Sequence, residues 1–220
     1  MTRRIKGMNL SNKTYPIKDP KKIQELLFFM LNRIDKSKSD IKKYQAYRNY
    51  MIVLIGINTA FRAEDLLQLR VSDVIKGYVT IIENKTGKPQ NFRMNSELHK
   101  DILGYIERYN LGSYDYLFLG QKKIVDGKSY IYPITRQQGH KIVSEAAKAV
   151  GIEFVFGMHS LRKTFGYQYI SNGGNILTLM KMYNHADVFE TQAYVLWGKE
   201  DAEKDRENIY IGKKMRMKKW

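Results

Sequence analysis

Residues 159–194 read HSLRKTFGYQYISNGGNILTLMKMYNHADVFETQAY, a pattern that predicts three short helices in succession. Apolar residues recur at three- and four-residue steps over 160–171 and again over 176–183. Gly173 and Gly174 end the first helix, and Asp187 opens the third with Glu190 at capping-box spacing. Side chains that can bind or attack a phosphate lie on or beside these helices. They are His159, Arg162, His185 and Tyr194.

The rest of the chain is predicted to be mainly α-helical with one small β-hairpin or sheet, which is an α+β fold class. Helices are expected at residues 21–34, 45–57, 63–69, 96–109 and 135–150, with a polar break over 35–43. Residues 78–83 and 90–94 alternate as strands around a turn at 85–88, where Gly87 supplies a positive φ. Residues 110–134 are expected to form a loop rich in glycine and tyrosine, either irregular or containing a short strand pair.

A single domain is expected over residues 21–200, because no strong boundary interrupts this part of the sequence. The chain has 220 residues, which suffices to bury a proper core. Residues 1–20 are basic, contain Pro16 and Pro20, and are predicted to form an arm or a linker stub. Residues 201–220 are predicted to form a basic tail, whose last eight residues carry five basic and no acidic side chains.

The charge of the chain favours a polyanionic partner. Lysine and arginine number 38 against 22 acidic residues, so the formal net charge is +16. Nucleic acid is the favoured partner, since each neutralised phosphate releases condensed counterions. An anionic membrane is the rival, but the sequence has neither an apolar run of about 18 residues nor an N-terminal signal pattern, so no membrane partner is expected. A basic surface without a polyanionic partner is the other interpretation that charge alone leaves open.

Cysteine and histidine usage limits the chemistry further. The chain has no cysteine, which excludes disulfides, thiol catalysis and cysteine-based zinc sites and is compatible with a reducing cytoplasm. Its four histidines form neither an HExxH motif nor a pair at i, i+4 spacing. Neither a metal nor a cofactor is therefore expected.

Two segments nearer the N-terminus add further candidates. Residues 59–66 read TAFRAEDL and put Arg62 and Asp65 where a turn leads into a helix, and Lys85 stands in the predicted hairpin turn. Together with residues 159–194, these segments resemble the catalytic domain of the tyrosine recombinase (phage integrase) family, which shares its DNA breaking-rejoining core with type IB topoisomerases. The resemblance covers residues 20–200. The residues that match the family's catalytic positions, in order along the chain, are Arg62, Lys85, His159, Arg162, His185 and Tyr194, with Asp65 in a supporting position.

The prediction depends on the order of these residues along the chain and on the helices, turns and loops in which they are expected to lie. Taken singly, each residue has an ordinary structural interpretation, such as a surface arginine or a histidine at a helix N-terminus. The sequence departs from the family's pattern at Ala60 and Asn184, where the family usually has glycine. Both are backbone-shaping positions, so the departures concern loop geometry and leave the reacting groups intact.

The resemblance implies a DNA strand-transfer reaction through a covalent 3′-phosphotyrosyl intermediate, without metal or ATP. Arg62 and Arg162 would clamp the scissile phosphate with forked, permanently charged donors, and His185 would donate a further hydrogen bond. Tyr194 would be the nucleophile, and the cationic cluster is expected to lower the pKa of its phenol so that the phenolate is favoured.

Two other residues transfer protons in this scheme, and a third has a supporting role. His159 is expected to be the general base for the phenol. Lys85, on a mobile turn that reaches the minor groove, would protonate the departing 5′ oxygen. Asp65 is expected to orient a catalytic group, with a histidine as the first candidate.

The resemblance also implies partners. They are double-stranded DNA, three further copies of the chain in a tetramer on DNA, and DNA-bending accessory proteins, whereas the chain alone is expected to be a monomer. The tail over 201–220 would dock on a neighbouring protomer, with Trp197 or Trp220 as an anchor. A bacterial or phage protein of the cytoplasm, associated with the nucleoid, is expected. Many relatives carry a further N-terminal domain, so either such a domain is missing from this sequence or the chain is a minimal recombinase.

Two other functions stay open at this point. One is a topoisomerase-like enzyme that nicks and reseals DNA, and the other is a DNA-binding regulator that keeps the fold without catalysis.

Two sequence features that could suggest other binding sites are rejected. Gly127-Lys128-Ser129 resembles the end of a P-loop, but the preceding glycine, Gly120, is too far away. Most tyrosines at 44, 47, 50, 105, 109, 167 and 169 have helical spacing beside apolar residues, which favours packing over base stacking.

Overall fold

The structure, a computed structural model, describes residues 14–196 and 198–209. The described part is mainly α-helical with two antiparallel β-hairpins, which confirms the predicted α+β class. The helices are α1 (Pro20–Asp35), α2 (Asp40–Asn58), α3 (Ala63–Leu67), α4 (Val71–Val74), α5 (Ser96–Arg108), α6 (Arg136–Ala149), α7 (Met158–Ser171), α8 (Ile176–Tyr183), α9 (Val188–Val195) and α10 (Lys199–Asn208). The strands are β1 (Tyr78–Ile82), β2 (Pro89–Arg93), β3 (Leu119–Val125) and β4 (Lys128–Pro133). Over the described residues, no helix combines the length and the apolar character needed to cross a bilayer.

Helix α2 lies at the centre of the main core. Its residues from Met51 to Gly56 are all buried, because α1, α5, α6 and α7 pack around it. A second, smaller cluster consists of Ala60, Leu179, Tyr183 and Val195 and joins the segment between α2 and α3 to α8 and α9. The candidate site lies beside this second cluster.

Helix α2 begins at Asp40, five residues before the predicted start at residue 45. Ser39 caps it by accepting a hydrogen bond from the Lys42 backbone N–H at 3.4 Å. The first turn is exposed and, apart from Ile41, polar, so it shows no apolar periodicity. The helix predicted over 63–69 is shorter than expected, since α3 ends at Leu67 and a separate short helix, α4, follows.

The first hairpin has the predicted form. Strand β1 pairs with β2 from Tyr78 opposite Arg93 to Ile82 opposite Pro89. The second hairpin, β3 with β4, lies inside the expected loop over 110–134 and confirms the strand-pair alternative. Its turn consists of Asp126 and Gly127, both at positive φ, as a two-residue hairpin turn requires.

The described part of the predicted N-terminal arm is packed against the domain, which corrects the expectation of an arm or linker stub. Ile17 is buried, and its backbone N–H donates to Thr164 Oγ1 at 2.9 Å. Gln168 of α7 donates to the carbonyl oxygens of Ile17 and Lys18 at 3.1 and 2.9 Å. This segment therefore belongs to the domain.

The start of the predicted C-terminal tail is also packed on its own chain. Asp201 is buried and accepts hydrogen bonds from Lys18 Nζ at 2.8 Å, Tyr167 Oη at 2.6 Å and the Gly198 backbone N–H at 3.0 Å. The first turn of α10 is therefore held against its own chain. The anchors predicted for docking, Trp197 and Trp220, lie outside the described residues.

Candidate active site

Arg162 is the most tightly held of the candidate residues. It lies in α7, only 2% exposed, and donates from its guanidinium to the carbonyl oxygens of Ala60 and Tyr183, the latter at 2.8 Å. The guanidinium carbon is 4.3 Å from the centroid of the Tyr183 ring. The Tyr183 hydroxyl donates back to the Arg162 carbonyl at 2.6 Å. These contacts fix the guanidinium in one orientation.

Arg62 reaches the same place from the N-terminus of α3. Its guanidinium donates to the Tyr183 carbonyl at 3.3 Å and forms an ion pair with the carboxylate of Glu83. The two arginines predicted to clamp a phosphate therefore converge on one backbone oxygen.

Tyr194 lies in the same cationic pocket, within its own chain. Its half-buried ring meets Tyr183 edge to face at 5.4 Å and His185 at 5.3 Å between centroids. The Arg162 guanidinium carbon lies 5.9 Å and Lys163 Nζ lies 5.1 Å from the centroid of the Tyr194 ring.

The pKa of Tyr194 differs from the expectation. Burial raises the pKa of the phenol, and the charges of Arg162 and Arg62 offset this only in part, so the pKa stays above its ordinary value. The arginine charges act in the predicted direction, because both lower the pKa, but burial, which the prediction did not include, raises it by more. The tyrosine is therefore a neutral phenol at neutral pH and needs a base to become a nucleophile.

His185 follows α8 and faces the same pocket. Its side chain is 6% exposed, and its Nδ1 lies 3.0 Å from the hydroxyl of Thr191. Burial lowers the pKa of this imidazole, Glu190 partly opposes the shift, and Arg162 adds to it. Asp187 caps α9 by accepting from the Glu190 N–H at 2.7 Å, as its spacing predicts.

His159 stands in the first turn of α7, and Arg136 at the start of α6 lies beside it. The Arg136 guanidinium approaches His159 Nε2 at 3.4 Å and also pairs with Glu64 at 3.3 Å. Desolvation lowers the pKa of His159, and the positive charges of Arg136 and Arg162 lower it further. A neutral imidazole that can accept a proton is the result. Sequence reasoning missed Arg136, which no motif singles out.

Lys85 is exposed in the turn between β1 and β2. It is near enough to His159 for its charge to contribute to the lowered pKa of that imidazole. The neighbouring Asn84 donates to Asp65 Oδ1 from its backbone at 2.9 Å and from its side chain at 3.1 Å. Asp65 is therefore bound to the residue that precedes Lys85, and no hydrogen bond between Asp65 and a histidine is among its contacts in the described residues.

Glu83 is a further residue of the site that sequence reasoning missed. It is 1% exposed, and besides its ion pair with Arg62 it accepts hydrogen bonds from Thr86 Oγ1 at 2.5 Å and Gln90 Nε2 at 2.7 Å. Burial alone would raise the pKa of this carboxyl, but the hydrogen bonds from Thr86 and Gln90 and the nearby polar side chain of Asn184 outweigh it and lower the pKa. Glu83 is therefore ionised.

The two departures from the family's glycine pattern are accommodated. Asn184 has φ 53° and ψ 33°, in the left-handed region, where asparagine is the residue best tolerated after glycine. Ala60 is buried, and its carbonyl accepts a hydrogen bond from Arg162. No group of three or more histidine and acidic side chains within the described ranges is arranged to hold a metal ion.

Comparison with known proteins decides the family. The model of the phage integrase family matches residues 19–200. The chain belongs to the phage integrase family. Among other members, it is 34% identical over 181 residues to the probable integrase/recombinase YoeC of Bacillus subtilis, a match covering 82% of this chain and 88% of YoeC. It is 28% identical over 149 residues to the tyrosine recombinase XerA of Pyrococcus furiosus, covering 67% of this chain and 49% of XerA.

Solved structures of family members share the fold. The crystal structure of XerA recombinase matches with a TM-score of 0.67 at 20% identity, over 92% of this chain and 66% of that one. The catalytic domain of bacteriophage HP1 integrase matches with a TM-score of 0.57 at 20% identity, over 89% of this chain and 95% of that domain. The match to XerH recombinase bound to its difH DNA substrate after cleavage has a TM-score of 0.64 at 21% identity, over 93% of this chain and 57% of XerH. The chain thus matches almost the whole length of the HP1 integrase catalytic domain and only part of the longer Xer recombinases.

Proposed function

We propose that this chain is a site-specific DNA recombinase that cleaves and rejoins DNA through a 3′-phosphotyrosyl bond on Tyr194. The observation that supports this most directly is the position of Tyr194, whose ring lies against His185 and beside the guanidinium of Arg162. No second subunit is needed to bring the phenol to the cationic pocket. Tyr194 would accordingly act in cis.

The scissile phosphate would bind to Arg62, Arg162 and His185. A pentacoordinate phosphorus carries more negative charge than the ground state, so fixed cations and donors favour the transition state selectively. Each preorganised donor of this kind is worth about 3 to 4 kcal/mol in other enzymes. The backbone and ring contacts of Arg162 provide the required rigidity.

The chemical step exchanges one ester bond for another. The Tyr194 oxygen attacks phosphorus and its proton passes to His159, which is neutral because its pKa is lowered. The bond from phosphorus to the 5′ oxygen breaks, and Lys85 gives that oxygen a proton. The number of phosphate ester bonds is unchanged, so rejoining needs no ATP. A 5′-hydroxyl of a second strand then reverses the step and releases the tyrosine.

Double-stranded DNA is the partner that suits both the site and the net charge of +16. Family members in the comparison are described in complex with DNA, among them XerH with its difH substrate and the Tn1549 transposon integrase. From the family resemblance we further propose a tetramer on DNA, DNA-bending accessory proteins and a cytoplasmic, nucleoid-associated location.

The proposal is tested by selecting covalent adducts from a pool of nicked duplexes with a randomised central sequence. The nick lets a short strand carrying the 5′-hydroxyl diffuse away, so that the protein stays joined to DNA. We expect wild-type protein to form an SDS-stable adduct with an enriched sequence, and Tyr194→Phe to form none. Tyr114→Phe is the matched control, because Tyr114 is 86% exposed and remote from the site's contacts.

Other outcomes assign the chain to a different function. Enrichment of bound but uncleaved duplexes by the wild-type protein would indicate a DNA-binding regulator. A protein that forms the adduct and relaxes supercoiled plasmid, but joins no two duplexes, would be a topoisomerase-like enzyme that reseals only the strand it has cleaved. An adduct formed by Tyr194→Phe would overturn the assignment of the nucleophile.

A further inference from the structure

We propose that Glu83 is a positioning residue that holds the two phosphate-binding arginines together and fastens them to the hairpin that carries Lys85. Glu83 touches none of the reacting atoms in the proposed mechanism, so its effect would pass through Arg62. The inference rests on the proposed function, because it concerns how the catalytic groups of that same site are positioned.

Glu83 is the meeting point of three separate segments. Its carboxylate binds Arg62 from α3 and accepts hydrogen bonds from Thr86 in the hairpin turn and from Gln90 in β2. Gln90 Nε2 also donates to the carbonyl of Met182 at 3.1 Å, at the end of α8. The acid is 1% exposed, so water cannot easily replace these partners.

A negative charge is needed here because two positive charges are brought close together. Arg62 and Arg162 donate to the same oxygen, the carbonyl of Tyr183, at 3.3 and 2.8 Å. Like charges at such short range in a partly buried site repel strongly. Burial lowers the pKa of Arg162, Arg62 lowers it further, and Glu83 acts in the opposite sense. Glu83 therefore stabilises the paired arrangement before any phosphate arrives.

The contacts that hold Arg62 leave it able to bind a phosphate. A guanidinium has five N–H donors. Nη1 is buried against Glu83 and Nη2 donates once to Tyr183, so the second N–H of Nη2 and the N–H of Nε remain for phosphate oxygens. The buried acid thus orients Arg62 without using all of its donors.

The same carboxylate connects Arg62 with the hairpin. Thr86 follows Lys85 directly, and its hydroxyl is bonded to Glu83 at 2.5 Å, while the Gly87 backbone N–H donates to the Glu83 carbonyl at 2.9 Å. The general acid and the phosphate clamp therefore share one anchor. A small displacement of Glu83 would move both groups relative to the scissile phosphate.

The test compares Glu83→Gln with wild type on the nicked duplex recovered by the selection above. Glutamine keeps the size and one acceptor oxygen but removes the charge. Since misplacement by about 1 Å can cost about 100-fold in rate, we expect adduct formation to slow by about 10- to 100-fold. Affinity for the intact duplex, measured by fluorescence anisotropy, should be equal or higher because one negative charge is lost. A merely structural role would weaken binding and cleavage together.

Glu145→Gln is the matched control. It makes the same change of charge on the exposed face of α6, where Glu145 lies 3.9 Å from Lys141, and should cleave and bind like wild type. Thr86→Val keeps the experiment decisive if Glu83→Gln does not fold, since it removes one donor to the same carboxylate at an exposed position. It should slow cleavage with unchanged affinity.

The outcomes separate this inference from the proposed function. No adduct with wild-type protein would overturn the proposed function and this inference with it. An adduct with wild type, together with wild-type cleavage by Glu83→Gln or Thr86→Val, would overturn the role of Glu83 alone. A parallel loss of binding and cleavage in Glu83→Gln would also overturn it.

Discussion

The imidazole of His185 and the phenol of Tyr194 meet edge to face, with ring centroids 5.3 Å apart and an interplanar angle of 77°. Helix α9 turns the nine-residue separation in sequence into this contact, because Asp187 starts the helix two residues after His185. The contact lies against Tyr183, which is 5.0 Å from His185 and 5.4 Å from Tyr194. A compact pocket on one chain thus places the proposed nucleophile beside His185 and the guanidinium of Arg162.

The two site histidines should titrate below the ordinary histidine pKa of about 6.5. Desolvation is the largest cause for both His159 and His185. Unfolded chains then bind protons more readily, so stability is full above about pH 6.5 and falls as pH decreases towards the folded pKa values. NMR titration of ¹⁵N-histidine-labelled protein, assigned with His159→Gln and His185→Gln, measures these values directly.

A variant at Glu190 tests the electrostatic cause of the His185 pKa shift. Glu190 opposes the lowering of the His185 pKa, so Glu190→Gln should lower that pKa further and leave His159 unchanged. Titration of either histidine at or above pH 6.5 in the wild-type protein would contradict the described electrostatics.

Asn184 should tolerate glycine better than alanine. Both substitutions remove the side-chain amide, and they differ in the strain of a β-carbon at φ 53°. Asn184→Ala should be less stable than Asn184→Gly by about 1 kcal/mol in urea denaturation. Equal stability of the two variants would mean that the left-handed conformation is not maintained at this position.

Gly166 should be intolerant of a side chain. A β-carbon there would lie 2.1 Å from the Tyr183 hydroxyl and 2.6 Å from Val195 Cγ1, so α7 would have to move away from α8 and α9. Gly166→Ala should cost about 1 to 3 kcal/mol in thermal or urea unfolding.

The control for this substitution is Gly104→Ala in α5, where nothing lies within 4 Å of the added carbon. Alanine should stabilise that helix by about 0.5 to 1 kcal/mol. A Gly166→Ala protein as stable as the Gly104→Ala protein would show that the three helices do not pack as described.

Lys85 should be dispensable when the leaving group needs no proton. Lys85→Met should slow cleavage of ordinary DNA by about 10²- to 10⁴-fold, the range of general acid–base catalysis. Sulfur in place of the scissile 5′ oxygen should restore the rate, since a thiolate leaves unprotonated. Lys88→Met, on the same hairpin, is the control. An equal defect of Lys85→Met on both substrates would remove Lys85 from the role of general acid.

Much of the fold follows from local patterns. The helices predicted over 160–171 and 176–183 and the first hairpin exist because apolar spacing and turn residues determine them locally. The early start of α2 was not predicted, because its first turn is exposed and mostly polar and therefore shows no apolar periodicity. The second hairpin carried an Asp126-Gly127 signal that could have decided between the two alternatives.

The site was predictable only in part. The family's order of residues pointed to Arg62, Arg162, His185 and Tyr194, and the fold brings these four together around Tyr183. Glu83 and Tyr183 themselves were missed, because their contacts join segments as far as 121 residues apart. The raised pKa of Tyr194 was missed for a related reason, since burial depends on packing that charge counting does not include.

The identity of the residue joined to DNA tests the central claim most directly. Adduct trapped on the nicked duplex would be digested with nuclease and trypsin, and peptide 182–199 sequenced by tandem mass spectrometry. Because this peptide contains both Tyr183 and Tyr194, the fragment ions decide between them. We predict a nucleotide on Tyr194. A nucleotide on Tyr183 or on any other residue, in a protein that forms the adduct, would contradict the account.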